Sequence, residues 1–116
     1  MRDIEFRGKR EDNGRWAYGD LVHDIPGNPM IEVRGGEYDG DDLMVIPETV
    51  GEYTGLKDKN GAKIFEGDIV RHKGMELPVR WDTEKAGFFI GDDKYWMMNS
   101  IDIEVIGNIH DNPELL

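Results

Sequence analysis

Hydrophobic positions fall in short stretches of four to seven residues rich in Ile, Val, Phe, Tyr and Trp, each bounded by Gly, Asn, Asp or Pro. That spacing predicts strands joined by tight turns, and no long stretch follows helical periodicity. Near the N-terminus, Ile4, Phe6 and Gly8 alternate ahead of Asn13-Gly14, and Trp16, Tyr18, Leu21 and His23 follow. Asn-Gly favours the positive φ of a hairpin turn, so two paired strands are expected there. Residues 26–42 mix Pro, Gly and acids around Met30, Ile31 and Val33, which predicts a loop containing one strand. Leu43 to Ile46 reads as a buried strand ended by Pro47, with one helical turn from Pro47 to Thr49.

From Ile64 onward four stretches sit at hairpin spacing: IFEGDIVRH, ELPVRWD, GFFIGDDKYWMM and IDIEVIGNI. Glu66-Gly67-Asp68, Gly74 and Gly91-Asp92-Asp93 supply the turns between them. The expected fold is mainly β, a short-stranded mixed β fold with little helix, whose C-terminal half is a small SH3-like or partly open barrel. One domain over residues 1–116 is expected, with a hairpin and strand region at 1–56 and a barrel-like region at 57–116 that does not fold independently.

The segment PETVGEYTGLKDKNGAKIFEGDIVRH, residues 47–72, resembles the signature of the YopX family of small bacteriophage and prophage proteins. Its specific part is Tyr53-Thr54-Gly55-Leu56, then Asp58-Lys59-Asn60-Gly61, then Glu66-Gly67-Asp68. The opening RDIEFRGKR and the ending IEVIGNIHDNPELL are similar to the family's terminal strands, whereas 11–46 and 74–99 match loosely. The resemblance implies a β-rich fold encoded in phage or prophage genomes, often beside replication and recombination functions, and it transfers no catalytic or metal-binding residue. Gly55, Gly61 and Gly67 are read as turn formers, where a Cβ would add strain.

Charge narrows the function classes. The formal charge is −11, from 25 acidic and 14 basic residues, and it divides as −6 before and −5 after Asn60. A surface this acidic repels phosphate backbones and anionic membranes, so non-specific nucleic-acid binding is disfavoured. The absence of cysteine excludes disulfides, thiolate metal sites and thiol nucleophiles, and fits a reducing compartment. With no signal-like N-terminal apolar run and no apolar stretch of membrane-spanning length, the expected location is the cytoplasm of the host cell, with no membrane partner.

The catalytic inventory is sparse. His23, His72 and His110 lie far apart with no ligand spacing, so no metal and no cofactor are expected. Glu37, Asp39, Asp41 and Asp42 lack the pattern of a calcium loop and read as a solvated turn. Asp92 and Asp93 read as turn residues, Ser100 has no nucleophile elbow, and no phosphate-cradling glycine motif occurs. A cationic group, Arg7, Lys9, Arg10 and Arg15 beside Phe6 and Trp16, is diluted by Glu5, Glu11 and Asp12 and reads as a solvated hairpin. Trp81, Phe88, Phe89, Tyr95 and Trp96 are core candidates. Three of these, Trp81, Tyr95 and Trp96, together with Arg80, are the residues singled out for a partner contact.

The expected function is therefore that of a non-enzymatic phage or prophage accessory protein that binds a host or phage protein and self-associates. Strand edges and the apolar stretch from Ile101 to Ile109 would supply the contacts between copies, and the Leu115-Leu116 tail is expected to dock on the same or another subunit. Two alternatives remain open. In one, Arg71, Lys73 and Arg80 meet nucleic acid in phage replication or recombination; in the other, the acidic chain mimics DNA against a host protein.

Overall fold

The computed structural model describes residues 4–25, 27–91, 95–96 and 102–116, with backbone alone at 24–25 and 95–96. The fold is mainly β, and every assigned strand pairing is antiparallel. It divides into two compact units, Met1–Tyr53 and Thr54–Leu116.

Unit 1 is built on β1 (Phe6–Lys9), β2 (Trp16–Ile25), β3 (Asn28–Val33) and β4 (Asp42–Met44), neighbours in that order. β1 and β2 form the expected hairpin, with Lys9 opposite Trp16 and Gly14 at φ +73° in the turn. The residue pairs continue across β3 and β4, placing Leu21 opposite Ile31 and Ile31 opposite Leu43. A bridge between Arg10 and Val45, with the Glu11 amide donating to the Met44 carbonyl at 2.9 Å, then returns the chain to the end of β1. The four strands thus close into a ring, which no local pattern announces, because it joins residues 33 or more positions apart.

Inside the ring lie Ala17, Ile31 and Val45, with Phe6, Leu21, Val33, Leu43 and Val50 packed against them. Gly19 is required by close packing: an added Cβ would collide with the backbone carbonyl oxygen of Glu32. The expectation of a uniformly buried strand at 43–46 is corrected. Val45 is 1% exposed but Met44 is 44% exposed, because strand neighbours face opposite sides and only one side of β4 meets the core. Pro47–Thr49 forms the expected single turn, of 3-10 type, and the buried Thr49 hydroxyl accepts from the Lys9 amide at 2.9 Å.

β5 (Gly51–Lys57) begins beside β1, with Gly51 opposite Arg7, and its later residues belong to unit 2, where β6 (Lys63–Phe65) follows. The remaining strands are β7 (Asp68–His72), β8 (Met75–Asp82), β9 (Gly87–Ile90), β10 (Tyr95–Trp96) and β11 (Glu104–Asn108). They form a five-stranded sheet in the order β10-β9-β8-β7-β11. Its core is Ile64, Val70, Val79, Phe88, Ile90 and Ile103, flanked by Leu56, Leu77 and Val105. Each fully buried Ile or Val here contributes about 1.5–3 kcal/mol relative to exposure.

The 58–62 turn explains the most distinctive part of the sequence. The Asp58 side chain, 7% exposed, accepts from the amides of Asn60 and Ala62 through Oδ1 and from Val105 through Oδ2, at 2.8–2.9 Å. Gly61 takes φ +86° to close this turn, and Gly55 and Gly67 also have positive φ. A second buried carboxylate, Asp68, accepts from the Phe65 amide at 2.8 Å across the next turn.

Candidate functional site

Alternation along β8 separates two of the four residues singled out for a partner contact. Arg80 lies opposite Phe89 and Trp81 opposite Phe88. The Arg80 guanidinium sits 5.8 Å from the Phe89 ring centroid, while Trp81 packs edge-on against Phe88 at 4.9 Å and remains 40% exposed. Arg80 also donates to the Gly91 carbonyl at 2.6 Å and approaches Asp82 at 3.5 Å, so internal acceptors hold it. Phe88 and Phe89 are both buried because β9 is covered on both faces, by the unit 2 core on one and by Arg80 and Lys85 on the other. The side chains of Tyr95 and Trp96 lie outside the described residues, as do Asp92, Asp93 and Ser100. Arg71 lies between Glu76 and Glu104 at 3.6 and 3.9 Å, and Lys59 also reaches Glu104, at 4.0 Å.

The N-terminal basic group is split by the same alternation. Arg7 is 6% exposed and lies over the Trp16 ring at 4.5 Å, with the Lys9 ammonium 5.8 Å from that ring. Arg10, beyond the end of β1, instead joins Tyr38, from the turn between β3 and β4, at 4.9 Å from the ring centroid. Asp12 grips Arg10 from the side with two hydrogen bonds of 2.8 and 3.0 Å. The Arg10 hydrogen bond holds the Asp12 carboxyl below the usual carboxylate range, and Asp12, followed by Tyr38, raises Arg10 above its ordinary value.

Arg10, Tyr38 and Trp16 form one wall of a groove in unit 1, a hollow of about 200 Å³. Ala17, Val33 and Leu43 contribute apolar lining, and Arg15 and Arg34 join Arg10 around it. Arg34 is set by an ion pair to Asp20 at 2.9 Å and by donation to the Ile4 carbonyl. The 34–41 turn that carries Tyr38 is pinned by the Asp39 carboxylate, which accepts from the Gly35 amide at 2.6 Å. A neighbouring hollow of about 250 Å³ shares Arg10 and Leu43 and is otherwise lined by Glu11, Asp12 and Met44. Arg10 and Arg15 stand out in the sequence, but Arg34 and Tyr38 do not. No short-range spacing links 34–38 to 10–15; the β2-β3-β4 register does.

Elsewhere the carboxylates with clear roles are structural. Burial alone would push Asp58 up, but the amides of Val105, Ala62 and Asn60 and the charge of Lys59 outweigh it and hold its carboxyl below the usual value. Asp82 is likewise lowered, first by the Lys85 amide and then by Arg80. Among the described residues no three His, Cys, Asp or Glu side chains gather as a metal site, and no helix is long and apolar enough to cross a membrane.

Among solved structures, protein EF1440 from Enterococcus faecalis is similar at 26% sequence identity with a TM-score of 0.59, over 100% of this chain and 99% of that one. No curated protein matches significantly. The model of the family described as YopX protein matches residues 5–116, and it takes in both units together with the Asp58 turn. The chain therefore belongs to the YopX family.

Proposed function

We propose that this protein acts by binding rather than catalysis, as an accessory protein of a bacteriophage or prophage in the host cytoplasm. On this reading its partner is a host or phage protein, and the chain also associates with itself. The observation that carries the reading is the groove of unit 1, where arginines and Tyr38 border an apolar hollow. Arginine and aromatic side chains dominate the energetics of protein interfaces, because each combines a large contact area with directional polar groups. Tyr18, Tyr38 and Met44, each at least 40% exposed, lie along this groove and its neighbour. On the same reading unit 2 is an SH3-like or partly open barrel, and the exposed Trp81 offers a second contact.

Self-association through the outer edge of β11 is the less favoured form of the reading. Asp58 already occupies the Val105 amide, and the Asn112 side chain accepts from Asn108 at 3.2 Å. Nucleic-acid binding by the second half is weakened by the acidic and carbonyl partners of Arg71 and Arg80. The test is affinity capture from induced host lysate, with and without nuclease, alongside sedimentation of the purified protein. A stoichiometric protein partner that survives nuclease supports the reading, whereas capture that depends on nucleic acid overturns it.

A further inference from the structure

Fourteen basic residues face 25 acidic ones in this chain, yet the lining of the unit 1 hollow contains three arginines and no Asp or Glu. We infer that this groove is the docking site for an acidic segment of the partner protein, one that carries a single large apolar side chain between carboxylates. The inference rests on the protein-binding reading above and adds the chemistry of the partner.

Size and lining set the apolar part of the ligand. At about 200 Å³, walled by Ala17, Val33 and Leu43, the hollow takes one large side chain rather than a whole cofactor. Charge sets the rest. Asp12 takes the Nε and Nη2 edge of Arg10 and Asp20 pairs with Arg34, so the exposed Arg15 is the guanidinium that meets a carboxylate of the segment. Arg15 lines the hollow with Arg10, and Arg34 closes the other side. Guanidinium groups recognise carboxylates in a planar, two-bond geometry that an ammonium does not reproduce.

The surroundings give the segment a direction. Glu11 and Asp12 line the neighbouring hollow beyond Arg10, so carboxylates are repelled there and belong at the Arg15 and Arg34 end. A single-stranded nucleic acid fits less well. The Trp16 ring that would stack a base already has Arg7 and Lys9 on it, and a charge of −11 opposes a phosphate chain.

The test uses the whole chain and fluorescein-labelled short peptides of Asp and Glu around one Leu. Controls replace Leu by Ala or the acids by Lys and Arg, and labelled oligothymidylate is run beside them. The Leu-centred acidic peptide should bind best. Binding should weaken about tenfold or more in Arg15→Glu, less in Arg15→Lys, which keeps the charge but loses the two-bond geometry, and fall with salt, while both variants melt as the native chain does. Equal binding of the basic peptide, indifference to Arg15→Glu, or preferred binding of oligothymidylate overturns the inference. Lysate capture with native and Arg15→Glu protein separates the two levels. A partner held equally by both removes the groove but leaves the protein-binding reading, and the lack of a protein partner with either removes that reading itself.

Discussion

The Val105 amide donates to the Asp58 carboxylate at 2.9 Å across 47 residues of chain, so this side chain ties the turn after β5 to β11, beside the Lys59 amide that donates to the Ile103 carbonyl at 3.0 Å. The same carboxylate closes its own turn through Asn60 and Ala62, leaving no orientation in which a neutral amide serves all three donors. Asp58→Asn should therefore cost about 1–3 kcal/mol, because either Oδ position then presents N–H to N–H. Urea unfolding is the measure: a lower midpoint at unchanged slope is expected, and an unchanged midpoint would refute the role given to Asp58.

Acid should reveal the same group. Asp58 titrates below its usual value when folded, so it adds stability that is fully present above the unfolded carboxyl pKa of about 3.9 and is lost as pH falls through the folded value. In Asp58→Asn that contribution is missing at every pH. The stability gap between the two proteins should then be widest near neutrality and shrink below about pH 4. A gap that stays constant down to pH 2 would contradict the shift.

Gly19 and Gly61 are predicted to differ in severity. Alanine at Gly61 meets no atom within 4 Å but must hold φ +86°, a cost of about 1 kcal/mol. Alanine at Gly19 overlaps the Glu32 carbonyl oxygen inside the β2-β3 ladder, so it must part the two strands. Thermal melts of the two variants should rank Gly19→Ala clearly lower; equal melting temperatures would mean that the ladder yields.

Ile64 is fully buried in the core of unit 2, whereas Leu116 is 59% exposed. Truncation of Ile64 to alanine should cost about 2–5 kcal/mol through lost burial and the cavity left behind. Leu116→Ala should change stability by less than about 0.5 kcal/mol. A large loss at Leu116 would show that the tail is anchored against another surface.

Tyr38 supplies the ring beneath Arg10 and little else to the fold, being 43% exposed. Its replacement by alanine should cost no more than about 1 kcal/mol, the worth of an exposed cation–π contact. It should also weaken any partner bound at the groove, by removing the Tyr38 ring from its lining and one of the two supports of Arg10. Calorimetry on the partner complex checks this, and unaltered affinity would place the contact elsewhere.

Much of the architecture was legible in the sequence for local reasons. Asn13-Gly14 specifies a hairpin through the φ it permits, alternating side chains mark strands, and Pro47 stops β4 and opens a short turn. The 47–72 string carried the family resemblance, and Asp58, Gly61 and Gly67 within it shape the turns and tie β11 into unit 2. Function was less legible, since binding surfaces are assembled from residues that no spacing connects.

Tertiary structure decided three things that local pattern could not. The Arg10–Val45 bridge closes the strands of unit 1 into a ring, because hydrogen-bonding edges find partners by proximity in space rather than in sequence. Strand alternation sent Arg80 and Trp81 to opposite faces and buried Arg7 against Trp16, dispersing two apparent clusters. The β2-β3-β4 register then brought Arg34 and Tyr38 to Arg10 and Arg15. Residue types and turns were fixed by short-range sterics and solvation, which the chain carries wherever it goes; the groove exists only where long-range pairing has set the register.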